Sequence, residues 1–225
     1  EYLVLDLNEN TDIFVRDGYT YKPFGTRAKP DYAVFVEGTD EIATKFCNIL
    51  AISFASIKQY YDEKYDRNNF IKNVILENIL PGDIYVKARE LHFNTDVNRV
   101  VLLVRVVSSN DISAFDVIQN LFPDKQTDFV ISINETDVAL IKQLPEGADA
   151  KELQKIAKQI STAVNQELGI KVVIGIGTVV NHIRDLARAY KEAGVAIDVG
   201  KVFDTEKTII TYENLGIGRL IYQLP

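Results

Sequence analysis

The sequence has no Met and no Trp, a single Cys and only two His in 225 residues. Each shortage excludes something. One cysteine, Cys47, cannot form an internal disulfide, and its place among apolar residues of helical spacing marks a buried structural thiol rather than a reactive one. The two histidines, His92 and His182, fall at the ends of predicted helices without neighbours at metal-ligand or triad spacing, so no metal-binding or catalytic residue is assigned. No apolar run approaches the ~20 residues of a membrane span. The opening Glu1-Tyr2-Leu3-Val4-Leu5-Asp6-Leu7 alternates apolar and polar with acidic flanks, the pattern of a strand and not of a signal peptide. The absence of even an initiator Met reads as a start inside a longer protein, or as a sequence stripped of Met positions whose spacings hide small gaps. Positive charge is also short: 25 Lys and Arg stand against 32 Asp and Glu, a net charge of −7. Affinity for nucleic acid rests on clustered Lys and Arg, so this chain is not expected to wrap DNA by itself. A reducing cytoplasm, no membrane and no cofactor are the expectation.

What is present is ordinary globular material, 47% hydrophobic and 25% charged, enough for two small domains. Residues 1–65 read as a β unit plus a helix, and residues 66–225 as a second domain. Short strands are predicted over 2–7, 12–16, 19–24 and 32–36, separated by Asp17-Gly18 and by the loop from Gly25 to Pro30. A helix follows, capped by Thr39, with Ile42, Phe46, Ile49, Leu50, Phe54 and Ile57 as its core stripe and Lys58, Asp62, Glu63 and Lys64 on the wetter side. A second helix is predicted over 69–80, ending at Pro81-Gly82. The polar stretch 60–68 between them is either a domain boundary or a bend in one long helix.

Beyond Asp83 the pattern predicts a helix over 84–91, a buried strand over 99–107 and a helix over 112–121 capped by Asp111. A hairpin of strands 128–133 and 138–141 turns at Asn134-Glu135-Thr136-Asp137. A helix over 149–168 stops at Gly169. A strand over 172–176, a helix over 182–199, a strand over 208–212 and a helix over 215–224 complete the chain. This order is an α+β plan of the ferredoxin-like kind, a mainly antiparallel sheet covered by helices.

Gly175-Ile176-Gly177 between strand and helix invites a dinucleotide-binding reading, but Val180 stands where the third Gly is needed and no acid follows for a ribose. No P-loop occurs. Paired carboxylates, Asp62-Glu63 and Glu135 with Asp137, sit on predicted turns and polar faces, where such residues usually serve solubility. The basic cluster worth naming is Arg16, Lys22, Arg27 and Lys29, interleaved with Tyr19 and Tyr21. Guanidinium groups suit two-point recognition of a carboxylate effector. An exposed solvated loop is the competing explanation.

The element order resembles that of nucleotide cyclases of the GGDEF type. In that family the first strand supplies metal-binding carboxylates and the hairpin turn presents two glycines with adjacent acids. Here the strand reads Val101-Leu102-Leu103-Val104-Arg105-Val106-Val107, with no acid, and the turn has no glycine. A cation inside that strand repels a divalent metal. A GGDEF-like plan without its catalytic residues, joined to four further segments, resembles the sugar-diacid regulator family of transcription factors (CdaR/PucR-like) over roughly residues 69–225. Those segments are Lys87-Ala88-Arg89-Glu90-Leu91, Ile174-Gly175-Ile176-Gly177, the helix with Tyr190 and Ala193, and Leu215-Gly216-Ile217-Gly218-Arg219-Leu220-Ile221 running on to Leu224. Ala189 departs from the Ser common in that family. The resemblance implies a non-enzymatic sensory and transmission region, working as a homodimer and reaching DNA through a C-terminal helix-turn-helix absent from this sequence. Residues 1–65 resemble the tail of a GAF- or PAS-like sensor for a small-molecule effector. The alternatives are a divergent cyclase or nucleotide-binding enzyme on the same fold, or a dimerisation module with no effector.

Overall fold

The computed structural model describes residues 12–26, 29–107, 114–124, 126–203, 207–216 and 218. The strand expected over 2–7, the Asp111 cap and most of the helix expected over 215–224 lie outside them. The chain divides into two compact units, Glu1–Tyr65 and Asp66–Pro225. Among the described residues, no helix is long and apolar enough to cross a membrane.

The first unit is an antiparallel sheet of β1 (Phe14–Arg16), β2 (Tyr19–Thr26) and β3 (Lys29–Glu37), followed by α1 (Glu41–Ile75). Asp17 and Gly18 both take positive φ, 49° and 84°, as a tight two-residue hairpin turn requires. The helix cap is Asp40 and not Thr39: the Asp40 Oδ1 accepts the Ala43 N–H at 2.8 Å. The apolar stripe of α1 also differs from expectation. Over residues 41–60, Ala43, Cys47 and Ala51 are the buried positions, whereas Ile42, Phe46, Ile49, Leu50, Phe54 and Ile57 are exposed. The physical reason is closeness. The helix lies near the main chain of the sheet, with the Cys47 thiol donating to the Thr20 carbonyl at 3.3 Å, and at that distance only small side chains fit between.

No break interrupts residues 60–68, since α1 is one helix of 35 residues. It stops at Ile75 rather than 80, and Glu77 follows with φ 57°. Pro81 then opens α2 (Pro81–Glu90) instead of ending the previous helix, because its fixed φ and missing N–H suit a first turn.

The second unit is α+β. Five strands, β4 (Arg99–Val106), β5 (Phe129–Ser132), β6 (Asp137–Gln143), β7 (Val172–Ile176) and β8 (Ile209–Thr211), form one mixed sheet in the order β5-β6-β4-β7-β8. Only the β7–β8 pair is parallel. Alternate residues of β4 feed two cores. Val101 and Leu103 join Phe70, Ile71, Val74, Ile75, α2 and α5 (Leu186–Phe203) on one face, and Val100, Leu102 and Val104 join α3 (Phe115–Leu121) and α4 (Ala150–Leu168) on the other. Burial on both faces is why these strands are continuously apolar. Helix α4 starts on the Asp149 side chain, which accepts the Glu152 N–H, and ends at Gly169 with φ 67°. His182 precedes a 3-10 turn, Ile183–Asp185, so α5 begins later and runs further than predicted.

Candidate functional site

The glycines that suggested a phosphate loop face the backbone of a helix. A methyl group on Gly175 would lie 2.0 Å from the Ala193 carbonyl oxygen, and one on Gly177 2.2 Å from that of Ala189. Ala189 and Ala193 are fully buried. The pair therefore permits backbone-to-backbone packing of β7 on α5, and leaves no room there for a pyrophosphate.

Chemistry gathers instead where the C-terminal end of β4 meets the β5–β6 turn. Asn134 builds that turn without glycine: its Oδ1 accepts the N–H groups of Thr136 and Asp137 at 2.9 and 2.8 Å. The turn sets Asp137 directly opposite Arg105 in the β4–β6 register. Arg105 donates from Nε and Nη2 to the two Asp137 carboxylate oxygens at 2.8 and 2.9 Å, and from Nη1 to Asp198 of α5 at 2.9 Å. Asp137 is buried, not the solvated hairpin residue that its neighbours suggest. Burial pushes its carboxyl pKa up, but the Arg105 guanidinium outweighs that and holds it below the ordinary carboxylate value. The same two bonds raise the Arg105 pKa. Burial, with the Asp137 charge nearby, pushes the Tyr190 phenol up as well.

A divalent cation does not fit this corner. Its buried carboxylate already spends both oxygens on a guanidinium, and that fixed positive charge opposes a second one. No group of three or more metal-ligating side chains occurs among the described residues. Sequence reasoning found Arg105 but missed its partners. The available signal was the charge itself, because a charged side chain within an apolar strand demands a counter-ion on a neighbouring element.

A second network braces the start of α5. The Glu192 carboxylate accepts from the Thr178 N–H at 2.9 Å and from Arg188 at 2.9 Å. His182 lies 2.7 Å from Asp96 through Nδ1. These contacts fix the β7–α5 connection.

The six residues proposed for an effector do not all meet. Arg16 stands opposite Tyr19 in the β1–β2 register, and Tyr21 opposite Phe14, so Arg16, Tyr19 and Tyr21 share one sheet face. Phe35 joins them, its ring 5.8 Å from that of Tyr19 and 5.7 Å from that of Tyr21. Lys22 points to the other face, where its charge acts on Cys47. Lys29 begins β3, and Arg27 lies outside the described residues. What remains together is one exposed guanidinium, ion-paired to Asp17 at 3.4 Å, on a face with four aromatic rings, Phe14 stacking on Tyr21 at 5.1 Å.

The GGDEF-like domain family matches residues 78–199, just over half of the chain, and the chain belongs to that family. No curated protein matches it.

Proposed function

We propose that this GGDEF-like chain is a non-catalytic sensory and transmission module of a bacterial transcriptional regulator of the sugar-diacid (CdaR/PucR-like) kind, acting in the cytoplasm through a helix-turn-helix outside this sequence. The observation that carries the proposal is the Arg105–Asp137 pair. In the cyclases that the fold resembles, this strand holds carboxylates for a metal. Here the corresponding corner is neutralised from within, so it favours packing over phosphoryl chemistry.

The small molecule enters through the first unit. Arg16, with Tyr19, Tyr21 and Phe35 beside it, offers one guanidinium and apolar ring faces, a set that suits a carboxylate on a compact organic acid. Two experiments test the reading. Calorimetry with GTP and Mg2+ on the purified chain is expected to show no heat of binding, and metal-dependent turnover of a nucleoside triphosphate would overturn the proposal in favour of an enzyme. A thermal-shift screen of sugar acids, purines and amino acids is expected to raise the melting temperature with a carboxylate ligand, since binding only to the native state stabilises by mass action. Loss of that shift in Arg16→Ala places the ligand, whereas no shift with any acid favours a module without an effector.

A further inference from the structure

Three cations follow one another along the turn Ile183–Asp185 and helix α5, at Arg184, Arg188 and Lys191, and all three line one open cavity of about 460 Å3 in the second unit. Glu77, Val195 and Tyr212 line it with them. We propose that this groove binds a compact phosphate monoester, with the three cations on the phosphate and Tyr212 and Val195 beside the organic part.

Arg188 is held from one end only. Its Nη1 donates to the Glu192 carboxylate at 2.9 Å and to the Thr178 hydroxyl oxygen at 3.1 Å. Glu192 is itself buried, 9% exposed, and fixed by the Thr178 N–H. The Nε and Nη2 of Arg188 have no partner among the described residues, so a guanidinium anchored through one nitrogen keeps its other donors for a ligand. Arg184 is exposed and has no hydrogen-bond or ion-pair partner among the described residues. Lys191 spends one of its three donors on Glu77, at 2.6 Å. Both acids on the groove are therefore already answered, Glu77 by Lys191 and Glu192 by Arg188. In a chain of net charge −7, cations gathered on one groove favour an anion there.

The number of donors selects the anion. A carboxylate has two oxygens, and one forked guanidinium satisfies both. A phosphate monoester brings three terminal oxygens and a charge of about −1.5 to −2 near pH 7, which three cations in series can share. The size of the groove selects an organic ligand over the bare ion, since cavities of ~300–1,000 Å3 hold small organic molecules. The half-buried Tyr212 ring and Val195 give the remainder of the ligand apolar surface to lie against. A magnesium-bound triphosphate does not suit the groove, because its metal ion would sit among three cations. The site uses none of the Arg16 face and needs neither DNA nor the regulator reading.

The test is isothermal titration calorimetry on the whole chain in magnesium-free buffer, with glucose 6-phosphate, phenyl phosphate and inorganic phosphate as probes. At least one of the two monoesters is expected to bind at one site per chain, about tenfold or more tighter than inorganic phosphate, through the apolar surface it covers. Arg184→Gln and Arg188→Gln are each expected to weaken that binding by about tenfold or more, the effect of losing a charge-assisted hydrogen bond. Lys155→Ala removes the same charge from α4, outside the groove, and is expected to leave the affinity unchanged. Arg188→Gln takes the cation from a buried carboxylate, so its fold is checked by circular dichroism. If it unfolds, Arg184→Gln, at an exposed position, decides alone. No heat with either monoester at millimolar concentration would overturn the proposal, as would equal affinity for inorganic phosphate. Wild-type affinity in Arg184→Gln, or an equal loss in Lys155→Ala, would overturn it too, since the attraction would then belong to the surface at large.

Discussion

Arg105 clasps Asp137 across the β4–β6 pair with two parallel hydrogen bonds of 2.8 and 2.9 Å, and its remaining nitrogen reaches Asp198 on α5. The three residues tie a strand, a hairpin and a helix from positions far apart in sequence. Truncating the cation strands a buried carboxylate, which is the costly way to break such a pair. Arg105→Ala is expected to destabilise by about 3 kcal/mol, and Asp198→Ala, at the more exposed end, by less than about 1 kcal/mol. Urea unfolding of the two variants beside wild type measures the difference.

The same pair predicts an acid limb of stability. The Asp137 carboxyl is held below its ordinary value in the folded chain, so the unfolded chain binds its proton more tightly. The stabilisation is complete above the unfolded value, about pH 4, and is lost as pH falls from there through the lower folded value. Melting temperature measured against pH is expected to drop steeply on this limb in wild type. Asp137→Asn should melt lower at neutral pH and show a shallower acid slope. Equal slopes in the two proteins would remove Asp137 as the group responsible.

Gly177 and Gly175 bear the β7–α5 contact, and each has a carbonyl oxygen where a methyl group would go. Gly177→Ala must push the helix away from the sheet or distort the strand, an overpacking expected to cost about 3 kcal/mol or more. Gly194 supplies the contrast. A methyl there would meet nothing nearer than Leu103 at 3.9 Å, an ordinary contact, and the residue lies within α5. Gly194→Ala is therefore expected to stabilise by about 0.5–1 kcal/mol. Thermal unfolding of the two alanine variants should move in opposite directions.

The second unit was readable because its strands are buried on both faces and its long helix α4 carries its own start and stop signals at Asp149 and Gly169. The α1 stripe was misread for a reason that periodicity cannot supply. Helical spacing of large apolar residues marks a buried face, but Ala43, Cys47 and Ala51 repeat at the same interval on the other side, and only the short helix-to-sheet distance decides between them. The Arg105 partners were hidden for another reason: Asp137 and Asp198 are 32 and 93 residues away, and nothing local distinguishes them from solvated acids. The effector cluster divided because Lys22 follows Tyr21 directly on a strand, so the two point to opposite faces.

Arg99, at the other end of β4 from the Arg105 corner, is buried less comfortably. It is only 2% exposed, and it rests 4.6 Å from the centre of the Phe93 ring with one bond, from Nη2 to the Asn94 carbonyl at 2.7 Å. Its Nε and Nη1 have no hydrogen-bond partner among the described residues. Burial pushes its pKa down to about 10, against the opposing pull of the Asp96 charge. A buried cation held mainly by an aromatic face gains little over an apolar chain of similar length. Arg99→Met should therefore be neutral or stabilising by about 1 kcal/mol, while Arg99→Ala, which keeps neither the charge nor the volume, should cost about 2–4 kcal/mol through the space it leaves beside Phe93. Chemical denaturation of both variants separates the charge from the packing. If Arg99→Met lost as much stability as Arg99→Ala, the contact with Phe93 and Asn94 would be worth more than the burial it costs, and Arg99 would belong with Arg105 as a stabilising cation of the strand.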